Sequence, residues 1–218
     1  MLCRFPCAFS VVFAALLGGA CAQFDRIDKP TLWNDGLPLS DYPKGLQSVA
    51  AKWEPVGAPD KCVDKANEMQ GCPLDTLEAR RVTYADCETP WILCRCANAT
   101  MSMDTITERF GWVPVGVRSY VGGLIVSPEP VASASASGDF LNFNGECVVP
   151  VFIHESGHTL DQGSSSNMDW IHGIENSTCV ADYYSQSNAV ENFAQVRQLM
   201  TIWKPLMNGC RSQSFTVT

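Results

Sequence analysis

The chain has 218 residues, 46% hydrophobic and 17% charged, a composition that can bury a core and excludes an intrinsically disordered protein. Fifteen basic against 23 acidic residues give a net charge of -8. A chain this acidic repels phosphate backbones and has no basic cluster to override that sign, so nucleic acid is excluded as a partner.

Residues 1–22 read as a signal peptide. Arg4 is the only charge before the apolar run from Ala8 to Leu17, and Ala20-Cys21-Ala22 offers the small-x-small pattern that signal peptidases cut after. The run is shorter than the roughly 20 residues of a membrane span and ends in Gly18-Gly19. The expectation is a secreted, extracellular chain starting near Gln23, without a membrane partner after cleavage. It would carry 14 basic and 23 acidic residues, a net charge of -9.

Residues 23–218 are expected to form one domain, since nothing divides them into two cores. Pro30, Pro38, Pro43, Pro55 and Pro59 predict an irregular arm over residues 23–60, laid on the surface. Asp75 or Thr76 can cap a predicted helix through Leu77, Arg81 and Tyr84. A second helix is predicted from Met103 to Phe110, with Asp104 near its start and Gly111 at its end. Val117 to Val126 has the β-branched and aromatic content of a strand, interrupted by Gly122-Gly123. Ser133 to Gly138 is small and polar and reads as a flexible loop, and Phe140 to Phe143 as a short strand. The apolar run from Val148 to Ile153 is expected as an edge or neighbouring strand of a small mixed sheet. From Asn188 to Trp203 apolar residues cover most of a helical circumference, which predicts a largely buried helix whose only charges are Glu191 and Arg197.

Of 11 cysteines, Cys3, Cys7 and Cys21 fall in the signal segment. The remaining Cys62, Cys72, Cys87, Cys94, Cys96, Cys147, Cys179 and Cys210 are an even set, which in an oxidising compartment suggests four disulfides. Asn98-Ala99-Thr100 and Asn176-Ser177-Thr178 are glycosylation sequons compatible with that route.

The sharpest chemistry lies at residues 154–158, His-Glu-Ser-Gly-His. On a helix, positions i and i+4 share a face, so His154 and His158 can direct two imidazole nitrogens at one ion. Glu155 then stands beside the ion, where it can accept a proton from a water. Neutral imidazoles with a carboxylate suit zinc, and a third ligand is needed. A third histidine six residues after the second would fall on Ser164, which excludes that pattern and leaves His172 without a role. Asp161, on the same helix, reads as outer support or a solvated acid, and Glu175 as part of an exposed loop beside a sequon. Glu191, on the buried helix, remains as the third ligand. Its other reading is an N-terminal capping box with Asn188 three residues earlier. Arg197 can pair with Asp161, with Asp182 or with neither.

His154-Glu155-x-Gly157-His158-x-x-Asp161, followed by Tyr184-x-x-x-Asn188-x-x-Glu191-x-Phe193-Ala194, resembles the zinc peptidase domain of anthrax lethal factor. The stretch Asn188 to Val196, with the His-Glu-Ser-Gly-His motif, is more closely similar to a family of small secreted fungal conidiation-specific proteins. The similarity covers residues 148 to 200. It implies His154, His158 and Glu191 as zinc ligands, Glu155 as general base, and Tyr184 as a donor to the developing oxyanion, though adjacent Tyr183 leaves the choice of ring open. Gly157 also matches; glycine costs about 1 kcal/mol against alanine in a helix, and close approach of another element would explain it.

The reading as a whole is an α+β, zincin-like, disulfide-stapled domain with two metal-bearing helices, expected to be a monomer acting on a peptide or protein substrate. The rival expectation is a secreted or surface protein that keeps the zinc-binding scaffold without useful catalysis.

Overall fold

The seven residues from Glu78 to Tyr84 bury Ala79, Val82 and Tyr84 between partly exposed polar neighbours, and they form a strand hydrogen-bonded on both edges. The computed structural model describes residues 26–38, 47–69 and 71–203. Its main sheet has six strands: β2 (Ala51–Pro55), β3 (Glu78–Tyr84), β4 (Trp91–Arg95), β5 (Gly123–Ser127), β6 (Ser133–Ser137) and β7 (Phe140–Asn144). Their spatial order is β2-β3-β4-β5-β7-β6. The pairings β4–β5 and β5–β7 are parallel and the other three antiparallel. A separate two-stranded parallel pairing joins β1 (Thr31–Trp33) to β8 (Val180–Asp182).

Helices cover both faces of the sheet's centre, which is why β5 is buried at every position. On one face Leu93, Leu124, Val126, Leu141 and Phe143 meet Phe110 and Phe152. These two come from α2 (Met103–Gly111) and α4 (Val149–Asp161). On the other face Ile125 and Cys94 meet Cys62 and Ala66 of α1 (Asp60–Glu68). Short α3 (Val115–Arg118) carries a fully buried Arg118, which pairs with Asp86 and lies over the rings of Tyr84 and Trp91. The helices α5 (Met168–Asn176) and α6 (Ala189–Trp203) complete the order, and α6 packs along α4.

Several expectations change. The helix anticipated through Leu77, Arg81 and Tyr84 is only a 3-10 turn, Leu74–Thr76, before β3. Tertiary pairing on two edges outweighs the weak local cap there. The apolar run Val148 to Ile153 is no strand: Val148 precedes α4, and Pro150 sits in its first turn, where a missing N–H costs nothing. The predicted loop at Ser133 to Gly138 is the edge strand β6, in full register with β7. Val117 to Val126 splits into the end of α3 and the strand β5.

The described parts of the 23–60 arm are built into the fold, because they supply β1 and the sheet edge β2. Ile27 also packs with Ile171, Ile174 and Val180. Met103–Gly111, the strand at Phe140 and the buried helix from Ala189 lie where the pattern puts them. Cys62–Cys94 ties α1 to β4, and Cys72–Cys96 ties the following loop to the end of β4. Cys87 is also disulfide-bonded, whereas Cys147 and Cys179 are free thiols, so four bridges among the eight cysteines are not made. Residues 1–22, the expected signal peptide, and Cys210 lie outside the described residues. Among the described residues no helix is long and apolar enough to cross a membrane.

Candidate metal centre

Helix α4 carries its polar residues by satisfying them locally: Ser156 Oγ donates to the Phe152 carbonyl at 2.7 Å and Thr159 Oγ1 to that of Ser156 at 2.8 Å. The helix stops where Gln162 and Gly163 turn left-handed, with φ of 43° and 87°. Midway along it, Gly157 faces α6. A Cβ at this position would lie 3.3 Å from Ala194 Cα and 3.5 Å from its carbonyl oxygen, so a glycine there lets the two backbones close. That approach explains Gly157 and sets Glu191, one turn before Ala194, against the histidines.

Three donor atoms converge as a result. His154 Nε2 lies 3.1 Å from Glu191 Oε2, His158 Nε2 lies 3.2 Å from the same oxygen, and the two Nε2 atoms are 3.1 Å apart. Ligands about 2.0–2.1 Å from a tetrahedral ion stand roughly 3.3 Å from one another, so this triangle fits a single small divalent cation. Three lone pairs this close repel unless a proton or a cation lies between them. Burial alone would lower the pKa of His158, but Glu191, with help from Glu155 and Asp161, more than offsets it and the pKa is raised. Burial likewise opposes ionisation of Glu191, yet hydrogen bonds from both histidines hold its carboxyl down to about 2. The cluster thus keeps a negative carboxylate between two imidazoles.

Of the capping box expected from Asn188 and Glu191, only the Asn188 half forms. Glu191 donates its backbone N–H to Asn188 Oδ1 at 2.9 Å while its carboxylate faces the histidines. Glu155 is 7% exposed, and burial first, then Glu191, raises its pKa against the opposing histidines. Of the two tyrosines, Tyr184 stands by the cluster, its ring 5.4 Å from that of His154. Its pKa is raised by burial and by the charges of Glu191 and Glu155. Tyr183 points elsewhere, with Arg26 over its ring.

The remaining candidates fall away from the triangle. Asp161 accepts from Ser165 N–H at 2.5 Å and from Ser165 Oγ at 2.6 Å, which anchors the turn after α4. His172 and Glu175 are exposed on α5, so Glu175 belongs to a helix rather than a loop. Arg197 lies over Phe193 and feels the charge of Asp161; among the described residues no ion pair joins it to Asp161 or Asp182.

Two cavities flank the triangle. One of about 650 Å³ is lined by Ser135 and Ala136 of β6 with Glu155, His158 and Glu191. The other, of about 490 Å³, is lined by Leu37 from the N-terminal arm, Val151, His154 and Glu155. Tyr184 and Ala134 border both. Sequence reasoning missed β6 and Leu37 as cleft walls. It also missed Gln195, whose Oε1 is 2.9 Å from His154 Nδ1 and whose Nε2 donates to Asp182 Oδ2 at 2.7 Å. The available signal was the i+4 spacing of Gln195 from Glu191 on one helix face.

A family model described as conidiation-specific protein Con-13 matches residues 33–209. Conidiation-specific protein 13 of Neurospora crassa is 37% identical over 180 residues, which are 74% of this chain and 52% of the relative. The chain therefore spans about half the length of the curated relative it matches. No solved structure matches.

Proposed function

This chain belongs to the Con-13 family of conidiation-specific proteins, and with that as premise we propose that it is a secreted zinc metallopeptidase of zincin type with Glu155 as general base. The observation that carries the proposal is the triangle of His154 Nε2, His158 Nε2 and Glu191 Oε2, with edges of 3.1 to 3.2 Å, opening on a cleft.

These three atoms would hold the ion. Zinc, when bound, supplies Lewis acidity that brings a coordinated water toward a pKa of about 7 and polarises a substrate carbonyl. Glu155, next in sequence to a ligand and bordering both cavities, takes the proton of the attacking water and later delivers it to the leaving amine. Its raised pKa suits a group that must both accept and return a proton. The Tyr184 hydroxyl, kept protonated by its own raised pKa, donates to the carbonyl oxygen as negative charge develops there. The cleft wall at β6 offers a strand edge, and the peptide or protein substrate lies between it and Tyr184.

A peptide library incubated with the zinc-loaded protein tests this. Cleavage should appear, stop on chelation, and be absent in Glu155→Gln at unchanged zinc content. Unaltered cleavage by Glu155→Gln would remove the general base. Silence of the wild type at full zinc loading would leave a zinc-binding protein without catalysis.

A further inference from the structure

His154 is held from behind by a buried polar chain whose direction is fixed from its far end. Asp182 Oδ1 accepts from the backbone N–H of Ser185 at 2.9 Å and from Ser185 Oγ at 3.0 Å. Asp182 Oδ2 accepts from Gln195 Nε2 at 2.7 Å. Gln195 Oε1 then lies 2.9 Å from His154 Nδ1. Asp182, Ser185, Gln195 and His154 are all buried, at 4%, 0%, 7% and 7% exposure, although Asp182, Gln195 and His154 also border the cavity of about 490 Å³.

A carboxylate only accepts, so it draws the amide nitrogen of Gln195 toward itself. That turns the amide oxygen to His154, and an oxygen facing Nδ1 requires a proton on Nδ1. Glu191 competes for that proton at Nε2 while no ion is bound; with an ion in place, the Nδ1 proton goes to Gln195 and Nε2, the atom that faces Glu191 and His158, is the nitrogen left to give its lone pair. Resting on the metal reading above, we propose that Asp182 and Gln195 are positioning residues: as a polarity relay from β8 through α6, they lock His154 in the Nδ1–H tautomer and present Nε2 for ligation. The relay explains why the buried first turns of α6 spend a glutamine on the face that carries Glu191. It also gives the short β1–β8 pairing a function, since β8 ends on Asp182.

The relay makes a prediction that simple packing does not. In Asp182→Asn the side-chain oxygen must stay on the fixed backbone N–H of Ser185, which puts the new amide nitrogen toward Gln195. Gln195 then turns over, offers its own NH2 to His154 Nδ1, and pushes the ring proton to Nε2. Zinc affinity should fall by about 10- to 100-fold. The double variant Asp182→Asn/Gln195→Glu has the wild-type net charge and restores the polarity. Its glutamate accepts both from the new amide and from Nδ1–H.

Two measurements decide the matter. Nitrogen-15 NMR of metal-free Glu191→Ala, in which no carboxylate competes for Nε2, at a pH where the ring is neutral, should find the His154 proton on Nδ1, and zinc titrations in the wild-type background should rank the double variant well above Asp182→Asn. A ring protonated on Nε2 in Glu191→Ala would overturn the relay whether or not Asp182→Asn folds. So would wild-type zinc affinity in Asp182→Asn, or a double variant no tighter than the single one. Failure of the wild type to bind zinc would remove the metal reading while the tautomer measurement still judged the relay.

Discussion

The two ends of this molecule are held by opposite means. At β3, β4 and α1 the chain is stapled by Cys62–Cys94 and Cys72–Cys96 over an apolar cluster. At α4 and α6 no described disulfide crosses, and the helices meet through Gly157 against Ala194 and through buried polar groups. The first arrangement is stable whatever it does. The second needs a proton or a cation as a partner between its carboxylate and two imidazoles, because their lone pairs repel without one. The proposed ion would be that partner, and it would stabilise the folded state by mass action where the other end relies on covalent bonds.

Substitutions that separate the ends should sharpen this contrast. Replacing both Cys62 and Cys94 by alanine should cost about 2–5 kcal/mol in denaturant unfolding while zinc content per chain stays unchanged. Loss of zinc in that variant would show the two ends to be one cooperative unit. Gly157→Ile should cost about 1–3 kcal/mol by forcing α4 from α6, and here zinc affinity should fall with stability. Asn188→Ala should cost about 1 kcal/mol by removing the α6 cap. It should weaken zinc binding only slightly, because the Glu191 carboxylate is not the capped atom.

The smallest effect is a pH dependence of the chelated protein. Glu191 has a folded pKa below its ordinary 4.5, so its contribution is present above 4.5 and lost as the pH falls toward about 2. His158 has a folded pKa above its ordinary 6.5, so its contribution is present below 6.5 and lost as the pH rises through the folded value. The chelated wild type should therefore gain most over Glu191→Gln in the window between 4.5 and 6.5, read as the difference in melting temperature across pH. A difference that does not vary with pH would mean that the carboxylate and imidazole do not face each other.

The local parts of the site were legible in the sequence. His154 and His158 are one helical turn apart, a relation that needs no tertiary information. Glu191 stood out as a charge in an apolar helix, and Gly157 as a glycine where alanine would be better. What depended on distant partners was not legible. Ser133 to Ser137 has no strand propensity and is a strand because β7 pairs with it. Val148 to Ile153 is apolar throughout, and periodicity cannot separate a buried helix from a buried strand in so short a run. Gln195 and Asp182 look like ordinary polar residues until folding places them behind His154.

The most direct test is the zinc content and affinity of the purified wild-type protein against Glu191→Ala. The account predicts one tightly bound zinc per wild-type chain and a large loss of affinity in the variant. Wild-type protein free of zinc after exposure to the metal, or a variant that binds it equally well, would contradict the account.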